Sequence, residues 1–417
     1  MESETSNPSS GEQVKRVVIV GNGIGGVMVA SRLRALSKDL TIEIYTREPY
    51  EYYSRIRLPE ICCTNMTAED LAVYKPGWYA QRNVAVYKNS EVVAIDRERK
   101  EIVLKSGARV PYDKLVLATG ADSFKPPIPN VDLDGVFTIR EYGDAEAIRE
   151  YLGENREAAV VVGGGLLGLE SARHIKAAGV ARVVVVEIMP RLLPKQLDEK
   201  GAALLKKIIE RMGCEVVLGA TVEAIEGERR ATGVRLKDER SFPAQTVLIS
   251  AGIRPRVELA KAAGLEVNRG VVVDDHLRSS DPDVYVVGDL VEFKGIVWGI
   301  IPAALDHANV VAHNIAGDAH VRYRQTIPKN TLKVADVYLT SLGKVVLDEE
   351  EVSSGRYVVL DALDEEGERY EKYVMEGDRL VGAILLGSRD NVKWAAERVG
   401  KATKEGEVRE RLAWSRG

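Results

Sequence analysis

The pattern of apolar and polar positions changes its period several times along the first part of the chain. The run Arg16–Val20 is mostly apolar and β-branched, as is typical of a parallel strand buried on both faces. A glycine cluster follows, then apolar residues at helical spacing over 27–36 and a second apolar run over 40–45. Short runs separated by polar turns between 84 and 112 predict a β-meander, and 115–120 predicts a further buried strand that ends at glycine.

The same order of elements occurs a second time. Residues 158–186 repeat the opening pattern of apolar strand, glycine cluster, helix and apolar strand, and 247–252 mirrors the strand at 115–120. A proline-rich stretch at 126–129 interrupts the pattern between the two copies and predicts a domain crossing. Because a duplication of this size determines an architecture, we predict an α/β fold with two Rossmann-like, three-layer domains.

The repeat also predicts domain boundaries. Residues 1–13 are polar and predict a disordered tail. We predict a first, discontinuous domain over 14–125 and 247–323, a second over 126–246, and a C-terminal α+β domain, capable of forming an interface, over 324–417.

Composition excludes several classes of function. A net charge of -5 argues against nucleic-acid binding, and no apolar run approaches membrane-spanning length. Three cysteines are too few for a disulfide scaffold or for a four-cysteine metal or iron–sulfur site, so we predict no bound metal. We expect a cytoplasmic protein without membrane insertion.

The glycine clusters carry the main chemical signal. Residues 21–26 read GNGIGG and residues 163–168 read GGGLLG, each after a predicted strand and before a predicted helix. In such a cluster the first glycine permits a tight turn, the second admits a pyrophosphate close to the backbone, and the third lets helix and strand pack. The helix N-terminus then presents free N–H groups to the phosphates. Two copies predict two dinucleotide sites.

An acidic residue after the second strand of each unit can bind the adenosine ribose hydroxyls and repel a 2′-phosphate. Glu187 ends the predicted strand of the second unit with no arginine directly after it, which favours NADH over NADPH. The first unit reads Thr46-Arg47-Glu48 at this point, so its acid is less well placed.

Five ordered motifs resemble those of the FAD-dependent pyridine nucleotide-disulfide oxidoreductase superfamily. They are the two glycine clusters, Ala118-Thr119-Gly120, Ala251-Gly252-Ile253-Arg254-Pro255 and Val287-Gly288-Asp289. Within that superfamily, residues 53–61 (YSRIRLPEI) and 332–343 most resemble NADH:rubredoxin reductases and the flavin module of nitrite reductase large subunits.

The resemblance implies cofactors and site residues. The first domain would bind FAD and the second NADH, with Glu170 near the stacked nicotinamide and flavin rings as the candidate catalytic residue. FAD would be held by Gly21, Gly23, Gly25, Gly26, Glu48, Arg55, Val93, Thr119, Gly120, Gly288 and Asp289. NADH would be held by Gly163, Gly165, Leu167, Gly168, Glu187 and Gly252.

Three positions depart from the family pattern. The acid that binds the FAD ribose in relatives falls on Arg47, so Glu48 must substitute for it or adenosine binds differently. A lysine that ferredoxin-reductase-like relatives place near the flavin falls on Glu60. The usual glutamine in the helix after the Gly-Asp motif is His307, for which packing is a simpler interpretation than catalysis.

The cysteines argue against a dithiol relay. No Cys-x-x-Cys or Cys-x4-Cys pair is present, and Cys62 and Cys63 are adjacent, where a disulfide would be strained. We interpret Cys62, Cys63 and Cys214 as packing residues, with a single redox thiol at 62 or 63 as the alternative.

These observations predict an FAD-dependent NADH oxidoreductase that passes electrons to a one-electron acceptor, such as rubredoxin, ferredoxin or a partner redox subunit. Two alternatives stay open: an NADH oxidase or small-disulfide reductase, and a non-catalytic flavoprotein subunit of a redox complex. A homodimer through the C-terminal domain is consistent with the same pattern.

Overall fold

The computed structural model describes residues 14–334 and 336–416. The predicted disordered tail, 1–13, lies outside the described residues. The chain divides into two compact units. Of the described residues, the first unit comprises those up to Tyr53, Ala72–Ala121 and Pro255–Gln325. The second comprises Ser54–Leu71, Asp122–Arg254 and the chain from Thr326 onward.

The elements are numbered in chain order. The strands are β1 (Arg16–Val20), β2 (Thr41–Tyr45), β3 (Val84–Tyr87), β4 (Val92–Asp96), β5 (Glu101–Leu104), β6 (Arg109–Pro111), β7 (Lys114–Leu117), β8 (Ala121–Ser123), β9 (Val136–Phe137), β10 (Ala158–Val162), β11 (Arg182–Glu187), β12 (Cys214–Leu218), β13 (Val222–Glu226), β14 (Gly233–Leu236), β15 (Ser241–Pro243), β16 (Thr246–Ile249), β17 (Ile253–Pro255), β18 (Val271–Val272), β19 (Val284–Val286), β20 (Val291–Glu292), β21 (Lys329–Val334), β22 (Val337–Gly343), β23 (Tyr357–Asp364), β24 (Arg369–Glu376) and β25 (Arg379–Leu386). The helices are α1 (Ile24–Leu36), α2 (Leu58–Ile61), α3 (Tyr142–Glu154), α4 (Leu166–Ala177), α5 (Glu199–Arg211), α6 (Glu258–Ala262), α7 (Ile301–Ile315), α8 (Glu349–Ser353), α9 (Val392–Arg398) and α10 (Glu405–Arg411).

The first unit is built on a parallel sheet with the strand order β19-β7-β1-β2-β3. β1 lies at its centre, where Val20 is opposite Tyr45 of β2 and Leu117 of β7. The apolar residues of β1 are fully or almost fully buried, which explains the uninterrupted apolar run in the sequence. The predicted meander is present as the antiparallel sheet β4-β5-β6, and α1 packs against α7.

The second unit repeats this plan. Its parallel sheet has the order β12-β11-β10-β16-β9, and Val162 of β10 is opposite Val186 of β11 and Ile249 of β16. An antiparallel sheet, β13-β14-β15, corresponds to the meander of the first unit. The two meanders also share a shift in strand register, which lies between Val92 and Ala94 in the first and between Val222 and Ala224 in the second. The α/β fold class is confirmed.

The C-terminal part of the second unit contains an antiparallel sheet with the order β21-β22-β25-β24-β23. Apolar residues of this sheet and of α9 and α10 share one buried core. The sheet also contacts the second repeat at the start of α5, where the Asp198 carboxylate accepts hydrogen bonds from the Tyr370 hydroxyl over 2.7 Å and from Lys372 Nζ over 2.9 Å.

The structure corrects one predicted boundary. The predicted return to the first domain lies between residues 246 and 247, yet β16 (Thr246–Ile249) pairs with β10 inside the second sheet. An apolar strand cannot leave that sheet without losing its backbone hydrogen bonds, so the chain crosses only after β16. Residues 54–71 also cluster with the second unit. The division into three domains stays a prediction.

None of the helices in the part of the chain that the structure describes is both long enough and apolar enough to cross a membrane.

Candidate dinucleotide-binding sites

The first glycine cluster forms a tight turn between β1 and α1. Gly21 has a φ of +114°, and a Cβ added there would lie 2.3 Å from the carbonyl oxygen of Ala118. A Cβ at Gly26 would lie 2.1 Å from the Gly21 oxygen, and one at Gly25 would lie 3.1 Å from Val287 Cγ2. Strand and helix approach so closely here that Gly21 and Gly26 cannot carry a side chain.

The same turn leaves open space where a ligand would bind. A Cβ at Gly23 would meet no atom within 4 Å, and Gly23 is the N-cap of α1. The first turn of this helix has no side-chain cap and no acidic residue. Its N–H groups and the positive end of its dipole are therefore available to an anion such as a pyrophosphate.

The second cluster reproduces this geometry between β10 and α4. Gly163 has a φ of +118°, and a Cβ there would lie 2.2 Å from the Ser250 oxygen. A Cβ at Gly168 would lie 2.0 Å from the Gly163 oxygen, whereas Gly165, the N-cap of α4, has no atom within 4 Å of that position. Leu167 follows in the first turn of α4, which also lacks a side-chain cap and an acid. The second unit thus has its own anion-binding turn.

Glu187 lies beside this second turn. Its side chain is only 7% exposed, and its carboxylate accepts hydrogen bonds from the backbone N–H groups of Gly164, over 2.6 Å, and Met189, over 2.8 Å. These bonds hold one oxygen toward the glycine loop and the other toward the residues after β11. Each carboxylate oxygen has a second lone pair with which it can accept a ribose hydroxyl.

The first unit has a different strand end. Since Val20 is opposite Tyr45 and Val162 is opposite Val186, the position equivalent to Glu187 is Thr46, which sequence reasoning did not single out. Glu48 lies two residues further on, where its carboxylate accepts a 2.5 Å hydrogen bond from the Tyr53 hydroxyl. A role for Glu48 in ribose binding stays a prediction.

Val93 lies at the register shift of the first meander. The pairing passes from Val92 with Leu104 to Ala94 with Val103, so Val93 has no directly opposed partner in the ladder. Its side chain is 48% exposed. A bulged backbone of this kind can supply hydrogen bonds outside the sheet, which supports the predicted backbone contact with adenine.

The Gly-Asp motif is held by α7. The Gly288 N–H donates to Nδ1 of His307 over 3.2 Å, and the His307 ring packs edge-on against Tyr323 at 4.6 Å between centroids. His307 is 1% exposed, and burial lowers its pKa to about 3. Its neutral ring therefore positions Gly288 and the following Asp289, and no acid role is supported.

The remaining predicted glycines follow strands of each sheet. After β7, the Thr119 hydroxyl donates to the Arg256 oxygen over 3.4 Å and Gly120 has a φ of +71°. After β16, Gly252 has a φ of +105°, and its oxygen accepts from the Phe124 N–H over 2.9 Å. Thr119, Gly120 and Gly252 thus lie after the carboxyl ends of parallel strands, where ligands of such sheets bind.

Two predicted site residues, Arg55 and Glu170, lie in the second unit, and the structure reveals a neighbour of Glu170 that the sequence did not. Arg55 begins a short 3₁₀ helix, Arg55–Arg57, within the segment 54–71. Glu170 lies in α4 with 23% of its side chain exposed, and its carboxylate is 3.7 Å from Nε2 of His174. The other ring nitrogen of His174 is 3.2 Å from the sulfur of Cys63. Their roles toward FAD and nicotinamide stay predictions.

Comparisons with known proteins agree with the geometry of the two glycine turns. Residues 15–314 match the family described as pyridine nucleotide-disulphide oxidoreductase, and residues 328–402 match the rubredoxin NAD+ reductase C-terminal domain. The chain belongs to the pyridine nucleotide-disulphide oxidoreductase family. The predicted resemblance is confirmed.

Two similar proteins and one similar solved structure illustrate the relationship. The chain is 34% identical over 374 residues to nitrite reductase [NAD(P)H] of Bacillus subtilis (strain 168), covering 89% of this chain and 46% of that protein. It is 34% identical to the rubredoxin-NAD(+) reductase of Ectopseudomonas oleovorans, covering 72% and 80% respectively. A ferredoxin reductase for the CYP199A2 system from Rhodopseudomonas palustris has a TM-score of 0.83 and 25% identity, over 96% of this chain and 100% of that chain.

The chain spans about half the length of the first curated relatives that it matches, 46% of one and 48% of another. Proteins of this family use FAD and NADH, so both cofactors are confirmed at the level of the family. The residues present fit them, since each unit has a turn that two of its glycines must form and an open position at a third. The roles of the individual residues toward these cofactors stay predictions.

Proposed function

We propose that this chain is an FAD-dependent NADH oxidoreductase that passes electrons from NADH, through flavin, to a one-electron acceptor protein. The proposal rests on the paired glycine turns, which have the same close approaches and the same open N-cap position in both units. One turn adjoins a buried acid, Glu187, and its counterpart adjoins the neutral Thr46. The two sites therefore have the same turn geometry but differ in the charge beside the turn, as expected if each site binds a different dinucleotide.

NADH is assigned to the second unit. The N–H groups at the start of α4 would bind the pyrophosphate, and Gly165 would leave room for it. Glu187 would accept the ribose hydroxyls, and its negative charge would disfavour the additional phosphate of NADPH. Leu167 and Gly252 would line the same site, and Glu170, further along α4, would lie toward the nicotinamide end.

FAD is assigned to the first unit. The N–H groups at the start of α1 would bind its pyrophosphate, and the bulged backbone at Val93 would contact adenine. His307, held neutral by burial, orients Gly288, so that Asp289 can accept from the ribityl side. When bound, FAD supplies the chemistry that links a hydride donor to one-electron acceptors.

The choice of acceptor is supported by the C-terminal part of the chain, which matches the rubredoxin NAD+ reductase C-terminal domain. Relatives named as rubredoxin-NAD(+) reductase and ferredoxin reductase support a small redox protein as partner. A dithiol relay is not favoured, because Cys62 and Cys63 are adjacent free thiols and Cys62 is buried. A homodimer and a cytoplasmic location stay predictions from the sequence.

Attraction of an acidic redox protein would need a local basic patch, for which the candidates are Arg55, Arg57, Lys329 and Lys333. Arg57 pairs with Glu60 at 2.7 Å, so this arginine offers little net charge to an acidic partner. Lys329 is exposed, while the side chain of Lys333 lies outside the described residues. Among the candidates whose side chains the structure describes, the exposed Lys329 could contribute to steering.

The experiment that tests the proposal is NADH-dependent reduction of a rubredoxin and of a ferredoxin by the purified holoprotein, across a salt series. Turnover of NADH with an artificial dye is the control for flavin and nucleotide binding. We expect an iron–sulfur protein to be reduced faster than dioxygen, with a rate that falls as salt screens charges beyond roughly 8 Å. If dioxygen is the faster acceptor at every salt concentration, the chain is an NADH oxidase, and if neither dye nor protein is reduced, it is a non-catalytic flavoprotein.

A further inference from the structure

We propose that the side chain of Asn22 binds FAD through its Nδ2 group, and that Tyr79 is the positioning residue that fixes the orientation of this amide. Asn22 is the second residue of the first glycine cluster and directly precedes Gly23, the N-cap of α1. The inference rests on the proposed assignment of FAD to the first unit and adds a side-chain contact to the glycine turn.

The amide of Asn22 has one satisfied end and one unsatisfied end. Its Oδ1 accepts a hydrogen bond from the Tyr79 hydroxyl over 2.9 Å. Its Nδ2 is buried and has no hydrogen-bond partner among the residues that the structure describes. A buried donor without a partner destabilises a folded protein, so a donor of this kind indicates a bound ligand or a bound water.

Tyr79 determines which end of the amide is left without a partner. The Tyr79 hydroxyl oxygen accepts from the backbone N–H of Tyr52 over 3.3 Å, so its own proton is the one shared with Asn22. With Nδ2 in the place of Oδ1, that proton would have no acceptor within the described part of the chain. Tyr79 is 6% exposed, and burial raises the pKa of its hydroxyl, which therefore keeps its proton at neutral pH. These contacts hold Nδ2 as a donor for a partner other than Tyr79.

The turn that contains Asn22 is suited to a ligand rich in acceptors. A Cβ at the adjacent Gly23 would meet no atom within 4 Å, and the first turn of α1 has neither a side-chain cap nor an acid. The pyrophosphate of a dinucleotide bound there carries negatively charged oxygens, and hydrogen bonds to charged acceptors are the stronger ones. FAD therefore supplies the acceptor that the protein does not.

The second unit has no such donor at the equivalent position. That position is Gly164, where an added Cβ would lie 2.7 Å from Leu192 Cδ2 and 3.1 Å from Glu187 Oε2. A side chain there would displace both residues, and the Gly164 N–H already donates to Glu187. In the first unit Thr46 takes the position of Glu187. The first turn thus has a side-chain donor where the second has a carboxylate acceptor, and the two turns bind their dinucleotides through different contacts.

The first test is the rate at which the purified holoprotein releases FAD, followed by the recovery of free-flavin fluorescence after dilution, in wild type, Asn22→Ala and Asn22→Asp. Aspartate keeps the shape of the side chain and an acceptor for the Tyr79 hydroxyl but has no donor. We expect both variants to release FAD at least about tenfold faster, as for the loss of one hydrogen bond to a charged group. Release at the wild-type rate from either folded variant would overturn the proposal and leave a bound water as the partner of Nδ2.

The second test separates positioning by Tyr79 from a general effect of the aromatic rings beside it. Tyr79→Phe frees the Asn22 amide to rotate and should speed FAD release, whereas adding it to Asn22→Ala should cause no further change. Trp78 packs edge-on against Tyr79 and stacks on Tyr74. Tyr74→Phe is the matched control, since the Tyr74 hydroxyl contacts the sulfur of Met28 at 3.6 Å, and this variant should release FAD as the wild type does. Additive effects of Tyr79→Phe and Asn22→Ala would show that Tyr79 does not act through Asn22.

Far-ultraviolet circular dichroism shows whether each variant is folded. If Asn22→Ala does not fold, Asn22→Asp takes its place in both tests. Wild-type protein that binds no FAD would contradict the assignment of FAD to the first unit, and this outcome is distinct from equal FAD release by wild type and variants, which contradicts the role of Asn22 alone.

Discussion

The Glu187 carboxylate accepts a hydrogen bond from the backbone N–H of Gly164, over 2.6 Å, and so joins the end of β11 to the second glycine loop. This bond places the acid that would read the ribose directly against the turn that would hold the pyrophosphate. In the first unit the equivalent position is Thr46, which carries no charge. The two turns therefore differ mainly in the electrostatics beside them.

Glu187 is expected to set the preference for NADH. Glu187→Gln keeps the size of the side chain and an acceptor for one N–H but removes the charge that repels a 2′-phosphate. We expect the ratio of kcat/KM for NADH over NADPH to fall by about tenfold, consistent with the loss of one charged hydrogen bond. Steady-state reduction of a dye with each nucleotide measures it. A wild-type enzyme that already prefers NADPH would contradict the assignment.

The glycines of the two loops are expected to separate the two cofactors. A Cβ at Gly26 would lie 2.1 Å from backbone oxygen, so Gly26→Ala should yield protein that loses FAD on purification. Gly165→Ala meets no protein atom, so this variant should retain FAD and fold normally while its KM for NADH rises. Flavin absorbance and steady-state kinetics measure the two effects, with Gly143→Ala in α3, also unobstructed, as the control. Loss of flavin in Gly165→Ala would mean that the two loops are assigned to the wrong cofactors.

His307 is expected to make the protein less stable in acid. Burial lowers its pKa from 6.5 to about 3, so the unfolded chain binds a proton that the folded protein does not as pH falls through this window. This single group should lower the free energy of unfolding by up to about 1.4 kcal/mol per pH unit below its unfolded pKa, and should have no effect well above it.

His307→Gln, which can still accept the Gly288 N–H, removes that contribution. The melting temperature of the variant should therefore fall less steeply than that of the wild type between neutral and mildly acidic pH. Parallel pH dependence in the two proteins would show that His307 binds protons equally in the folded and unfolded states.

The cysteines are expected to be dispensable for reduction of a dye. Because electrons are proposed to leave directly from flavin, replacing both Cys62 and Cys63 by serine or alanine should leave NADH-to-dye turnover within a fewfold of wild type. The measurement is the turnover number per bound flavin, so that any loss of folded protein is corrected. A fall of several orders of magnitude with flavin still bound would support a disulfide-reductase activity.

The sequence alone determined the repeated architecture. The apolar run Arg16–Val20 and its repeat each precede a glycine cluster, and both runs are local signals in the sequence. In the structure each run forms a strand of a parallel sheet, as predicted. The glycine loops could also be assigned from sequence, because a positive φ and a contact of about 2 Å with backbone tolerate no other residue. Glu187 followed from its place at the end of a strand.

Only the tertiary structure decided features that depend on strand pairing or on distant residues. The pairing of β16 with β10 moved the domain crossing, since the sequence of an apolar strand does not state which sheet it joins. The register of β1 with β2 identified Thr46 as the counterpart of Glu187. The contact between Cys63 and His174 has no sequence signal at all, because it depends on how a short segment and a helix fold together across 111 positions.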